Sequence, residues 1–238
     1  NNIYCNNIDA YHNDGTGIII QESQFITIDW SDTSYNQGSG IGSQDSDNCN
    51  FYNITSQHNG YSNISINGEC SVAYDLTTSS ASGSGLNIGH PNDPANADFS
   101  IVKKVDSFDN QIEGITIRNS DYVQLSDLNL YSNKKNNLMI KNSFEKDDND
   151  NVEYFDASNI RIRNAKIHNY HYTTSNNGFC DDPLSNNIEV VCGGYGLRIQ
   201  GASGVCSEFS FKNENDCLFD DDDYPTGNIW EEKDDECG

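Results

Sequence analysis

A small turn residue followed by apolar-x-apolar returns along this chain at almost fixed spacing, and that period restricts the possible folds more than any other feature. The motif stands at Gly17-Ile18-Ile19-Ile20, Gly40-Ile41-Gly42-Ser43 (its last place polar), Asn63-Ile64-Ser65-Ile66, Gly85-Leu86-Asn87-Ile88, Gly114-Ile115-Thr116-Ile117 and Asn137-Leu138-Met139-Ile140. Successive anchors lie 23 (17 to 40), 23 (40 to 63), 22 (63 to 85), 29 (85 to 114) and 23 (114 to 137) residues apart. Such a period is the signature of a repeat architecture. Other columns keep the same beat. Four residues before the anchors stand Asn13, Asn36, Asn59, Ala81, Asn110 and Asn133; nine before stand Ile8, Ser31, Ile54, Leu76, Val105 and Leu128; twelve before stand Cys5, Ile28, Phe51, Ala73, Val102 and Leu125.

The interval is too short for a βαβ unit, and the apolar positions alternate with polar ones as strands require. Each coil then consists of two or three short strands joined by turns and stacked about 4.8 Å above the last. The predicted fold is all-β: a right-handed single-stranded parallel β-helix with coils of about 23 residues. Gly or Asn at the anchors suits a turn with positive φ, which those residues tolerate best. In the column of Asn13, Asn36, Asn59, Asn110 and Asn133, each amide can donate to the next rung and accept from the previous one. Ala81 can do neither, so an interruption of the ladder is expected there.

Coils and Asn column together resemble the pectin-lyase-like superfamily of parallel β-helix proteins, over roughly residues 1 to 200. The resemblance implies that a carbohydrate groove runs along an exposed parallel sheet. Its catalytic motifs are incomplete. Asp93-Pro94-Ala95-Asn96 lacks the His and second Asp of the Asp-Pro-His-Asp motif carried by C5-epimerases, and only Gly196-Leu197-Arg198-Ile199-Gln200 faintly resembles the Arg-Ile-Lys motif of polygalacturonase-like enzymes.

Composition narrows the function classes. Thirteen Lys and Arg against 37 Asp and Glu give a net charge of −24, which repels nucleic acid and anionic membranes. No apolar run approaches the length of a membrane span. Eight cysteines, Cys5, Cys49, Cys70, Cys180, Cys192, Cys206, Cys217 and Cys237, suit disulfides in an oxidising compartment and so an extracellular or cell-surface protein. Cys49 and Cys70 fall 14 (49 to 63) and 15 (70 to 85) residues before successive anchors, which makes a bridge between adjacent rungs possible. Asn53-Ile54-Thr55 and Asn63-Ile64-Ser65 are sequons for N-glycosylation at Asn53 and Asn63.

Residues 1–201 are expected to be coils and residues 202–238 a disulfide-tied acidic cap or junction. The beat is broken by a loop at Gly89–Asp98, a second at Glu145–Asn151, and an excursion from His171 to Cys192. The chain opens in mid-coil, with Ile3, Cys5 and Ile8 already in register, so flanking modules or further copies of the chain are expected partners.

On the outward columns of the anchor strand, Arg118, Lys141 and Arg198 share one face. Such a cluster can bind uronate carboxylates, and a Lys or Arg beside another cation can act as the base that takes a sugar C5 proton. The plainer alternative is a set of solvated residues relieving repulsion among carboxylates. His90 with Asp93 and Asp98 has an acid/base composition but matches no template. Asp147, Asp148 and Asp150, and Asp220, Asp221, Asp222 and Asp223, offer oxygen ligands that suit Ca²⁺, without EF-hand spacing. Two functions stand against each other. One is a non-catalytic surface module of a fibre, coat or adhesin, with glycan or Ca²⁺ binding; the other is a polysaccharide lyase, epimerase or hydrolase using Arg118, Lys141, Arg198 and His90.

Overall fold

The protein is described by a computed structural model. The described residues are 2–90, 97–141, 143–146, 152–155, 157, 159–168, 188–191, 195–200 and 206–207, with side chains described up to 141 and, beyond that, at 157 and within 159–167. They contain no helix. In chain order the strands begin with β1 (Ile3–Asn6), β2 (Ile18–Gln21), β3 (Ile26–Asp32), β4 (Ile41–Gln44), β5 (Asn50–Gln57) and β6 (Ile64–Ile66). There follow β7 (Val72–Ser79), β8 (Leu86–Ile88), β9 (Ile101–Phe108), β10 (Glu113–Arg118), β11 (Gln124–Tyr131) and β12 (Asn136–Lys141). The last are β13 (Ser143–Lys146), β14 (Val152–Phe155), β15 (Arg161–His168), β16 (Ile188–Val191), β17 (Tyr195–Gln200) and β18 (Cys206–Ser207).

From β1 to β12 successive strands alternate between two parallel sheets. The first sheet runs β1-β3-β5-β7-β9-β11-β15-β16, with β18 also on β15, and the second runs β17-β12-β10-β8-β6-β4-β2. This is the parallel β-helix that the period predicts, and the register follows the sequence columns: Ile18 pairs Ile41, Ile41 pairs Ile64, Leu86 pairs Ile115 and Leu138 pairs Leu197. Inward columns stack like on like. Phe51, Ile54, Ile64, Leu76, Leu86, Ile115 and Leu125 are all essentially inaccessible, each burial favouring the fold by about 1.5–3 kcal/mol. Among the described residues the only departure from parallel pairing is β13 with β14, an antiparallel hairpin flanking the second predicted loop.

Each long strand of the first sheet turns a corner in its middle. Trp30, Asn53, Asp75, Lys104, Asp127 and Asn164 have φ of 47°, 52°, 60°, 58°, 55° and 49°. A second left-handed column, His12, Tyr35, His58, Ser80, Asp109 and Ser132, precedes the Asn column. The anchors are not among the positive-φ residues, which corrects the turn expected there. Their small size answers a close approach instead. A Cβ on Gly40 would stand 2.1 Å from Ser56 Oγ, and one on Gly114 would stand 2.5 Å from the Asn137 carbonyl and 2.6 Å from Asn133 Nδ2.

The Asn ladder runs Asn13 Nδ2 to Asn36 Oδ1 (2.8 Å), Asn36 Nδ2 to Asn59 Oδ1 (3.1 Å) and Asn110 Nδ2 to Asn133 Oδ1 (2.8 Å). The interruption expected at Ala81 does not occur. Asn63 crosses the gap: its Oδ1 accepts from Asn59 Nδ2 at 2.8 Å and its Nδ2 donates to Asn110 Oδ1 at 3.2 Å and to the Ser79 carbonyl at 2.9 Å. The backbone N–H of Ala81 is satisfied by the same Asn110 Oδ1 at 3.0 Å.

The Cys49–Cys70 bridge that the spacing makes possible does not form, and the disulfide expected of Cys5 and Cys49 is corrected. Cys5 and Cys49 are free thiols, whereas Cys70 is disulfide-bonded elsewhere. The two positions are one column apart: Cys49 lies in the core at 0% exposure, whereas Cys70 sits at a corner with φ of 54°. Burial pushes the Cys49 thiol up to about 11. Cys180, Cys192, Cys217 and Cys237 lie outside the described residues, and of Cys206 only the backbone is described.

Candidate functional site

The second sheet has one face on the core and one outward. Over the first rungs the outward face is open, with Ile19 59% exposed and Gln21 donating through Nε2 to Gln44 Oε1 at 3.2 Å. Further along it becomes deeply set: Asn67, Ser84, Glu113, Thr116, Asn136 and Met139 are all buried.

Register brings three of the expected cations onto this deeper part. Arg118 pairs Lys141, Lys141 pairs Gln200, and Arg198 pairs Met139, so Arg198 sits one rung on and two residues earlier. β10 and β12 carry Arg118 and Lys141 outward because Ile115, Ile117, Leu138 and Ile140 fill the alternate inward places. Arg118 is half-buried, and its Nε is a buried donor without a partner. Burial pulls its guanidinium below the usual arginine range, with the Glu113 carboxylate opposing the shift. Two rungs back in the same column, Asn67 Oδ1 is a buried acceptor without a partner, and Gly89 (φ 76°) lies between the two. Buried unsatisfied polar atoms are rare, and two of them fall in this one column of the second sheet.

Glu113 opens β10, the strand that carries Arg118, and was not visible as a site residue in the sequence. Its Oε2 accepts from Ser84 Oγ at 3.1 Å, and its Oε1 accepts from Asn136 Nδ2 at 3.2 Å. The available signal was the column just before the anchors, which is small and uncharged until Glu113 replaces Ser84's counterpart.

His90 is exposed at the end of β8, and its carbonyl accepts from Asn119 Nδ2 at 2.7 Å, which sets its backbone beside the end of β10. Asp98 is not gathered with it. Asp98 Oδ1 accepts from the Asp121 N–H at 2.7 Å, and burial, with Asp121 and Glu69 nearby, pushes its carboxyl up to about 6. Asp93 lies outside the described residues, as do Asp147, Asp148, Asp150 and Asp220 to Asp223 of the calcium expectation. Among the described residues no three His, Cys, Asp or Glu side chains converge as a metal site. No helix there is long and apolar enough to cross a membrane. Of the two sequons, Asn63 is corrected: at 0% exposure and bonded within the ladder, it has no room for a glycan. Asn53 is half-buried at a corner, where its Nδ2 donates to Asp29 Oδ1 at 2.9 Å.

Solved structures give the same arrangement of coils. The A-module of Azotobacter vinelandii mannuronan C-5 epimerase AlgE6 superposes with a TM-score of 0.63 at 15% identity, over 87% of this chain and 55% of that one. The periplasmic alginate epimerase AlgG gives 0.57 at 16% identity, over 85% of this chain and 47% of the other. Pectate lyase Pel9A gives 0.51 at 12% identity, over 76% and 44% respectively. The fold they share with this chain is the parallel β-helix. At these identities the likeness concerns fold alone, and the chain spans about half the length of those structures. No family model matches the chain, and no curated protein matches it in sequence.

Proposed function

We propose that this is a secreted carbohydrate-active β-helix protein that holds an anionic polysaccharide along the outward face of the second sheet. The observation that carries this reading is Arg118 paired with Lys141 in a chain of net charge −24, with the Arg118 Nε unpartnered. A bidentate contact from the Arg118 guanidinium would orient a uronate carboxylate. The names of the superposed structures, mannuronan and alginate epimerases and a pectate lyase, support the same substrate class.

The chemistry open to such a face is proton removal at C5 of the bound uronate. Negative charge then builds on the carboxylate, where Arg118 and Lys141 stabilise it. The base takes the C5 proton. Returning a proton to the opposite face completes an epimerisation. In a lyase the C4–O bond breaks instead, its electrons stay on the leaving oxygen, which is protonated, and a C4–C5 double bond forms. His90 is the candidate base.

The test is incubation of alginate and pectate in D₂O. Deuterium at C5, or ultraviolet absorbance from an unsaturated product, abolished in Arg118→Gln/Lys141→Gln, supports the catalytic reading. A specific observation favours the second reading, a non-catalytic glycan-binding surface module. Both carboxylate oxygens of Glu113, the buried acid nearest the cations, are engaged by Ser84 and Asn136. Binding without exchange or elimination would select that module.

A further inference from the structure

The first sheet carries a separate hollow on its outer side. Its floor is a column of directly paired residues, Thr27 to Asn50, Asn50 to Val72 and Val72 to Ile101. Its wall is the left-handed corner just before each strand, with Phe25, Asn48 and Phe99 at φ of 58°, 52° and 56°. The hollow encloses about 300 Å³, at the lower end of small-ligand sites. From Phe25 to Phe99 it crosses three rung steps, about 14 Å. Phe25 is 44% exposed and Ile101 is 43% exposed. Phe99 is fixed from behind by a parallel stack on Tyr122, with centroids 5.0 Å apart and planes 5° apart, so this part of the wall is set before anything binds.

Charge selects the occupant. The described residues lining the hollow include no Asp, Glu, Lys, Arg or His, in a chain whose net charge is −24. An anionic chain gains nothing there, and a cationic one would be held by the acidic surface elsewhere. What the hollow offers is aromatic and aliphatic surface on one side and the amides of Asn2, Asn48 and Asn50 on the other. Each amide both donates and accepts. A neutral hexopyranose presents the complement, an apolar C–H face and a rim of hydroxyls that also donate and accept. A peptide strand is disfavoured, because β3, β5, β7 and β9 are paired on both sides and leave no open edge to extend.

We propose that this hollow, bounded by Phe25 and Phe99 over Asn50 and Val72, binds a short segment of a neutral, hydroxyl-rich glycan, independently of the cationic face on the second sheet. Calorimetric titration of the intact protein with cellohexaose, laminarihexaose and mannohexaose tests it. Phe25→Asn keeps a residue that accepts the corner's φ, as Asn48 does one rung on, and Ile101→Ser removes exposed apolar floor. Saturable binding of at least one probe is expected, insensitive to salt, unchanged in Arg118→Gln, and weakened about tenfold in either hollow variant while circular dichroism stays native. The proposal is overturned if no probe saturates, if both variants bind like the wild type, or if binding falls with salt and with Arg118→Gln. Displacement by an equimolar uncharged Ser-Val-Thr-Val peptide would likewise overturn it, in favour of a peptide partner.

Discussion

Asn63 carries the ladder past a rung whose own residue, Ala81, has no amide to offer. Replacing it with Ala removes its three buried hydrogen bonds, to Asn59 Nδ2, the Ser79 carbonyl and Asn110 Oδ1, each worth about 1 kcal/mol, so Asn63→Ala is expected to lose about 3 kcal/mol in denaturant unfolding. A loss within a few tenths of a kcal/mol would mean that the ladder closes without it. Sequence columns located the regular Asn residues but not this one. The reason is that Gly and Asn alternate at the anchors, and both suit a left-handed turn; the actual cause is crowding against the ladder, which leaves space either for no side chain or for an amide that joins it. Asp98 makes a prediction in pH. Its carboxyl, ordinarily near 3.8, is pushed up to about 6 by burial, so between those values the folded state holds a proton that the unfolded state has released. Stability from this group is therefore present below pH about 4 and lost as pH rises through 6. Asp98→Asn keeps an oxygen for the Asp121 N–H and carries no charge; its melting-temperature advantage over the wild type should grow from pH 4 to pH 7. A constant difference across that range would show that burial of the charge is not what strains the site.

At the level of elements, the corners set the coil's shape. One corner column passes through Asn7, Trp30, Asn53, Asp75, Lys104, Asp127 and Asn164, all left-handed. Asn and Asp bear that conformation easily, whereas Trp does so at a cost of roughly 1–2 kcal/mol. Trp30 is 64% exposed and so recovers little of this through burial. Trp30→Asn is thus expected to raise stability by about 1 kcal/mol, measured by urea unfolding, and a decrease would mean that Trp30 packs in a way its exposure does not indicate. Strand existence and register were legible because apolar residues recur in every coil. The mid-strand corners were not, since Trp30 and Lys104 disguise a column otherwise marked by Asn and Asp. Cys49 and Cys70 misled for a related reason: a coil one residue short shifts the second cysteine into the neighbouring column, where one side chain enters the core and the other lies at a turn.

Across the whole molecule, a net charge of −24 sits on a narrow solenoid whose ion pairs Lys103 with Asp127 and Lys104 with Asp75 are both exposed. Repulsion among the carboxylates then opposes the fold at long range. Raising ionic strength from about 0.01 M to about 0.15 M shortens the screening length from about 30 to about 8 Å and should raise the melting temperature; a fall would point to net attractive surface pairing. Against that field the cationic pair stands out, and it was legible from the sequence because strand alternation placed Arg118 and Lys141 in one column before any coordinates. The buried Glu113 beside them was not, because a polar residue just before an anchor looks like part of a turn. The most direct measurement is calorimetric titration with a hexauronate, comparing wild type with Arg118→Gln. Saturable binding that weakens with salt and drops about tenfold or more in the variant is the predicted result. Equal affinity in the two proteins, or no binding at low salt, would contradict the assignment of this face to an anionic glycan.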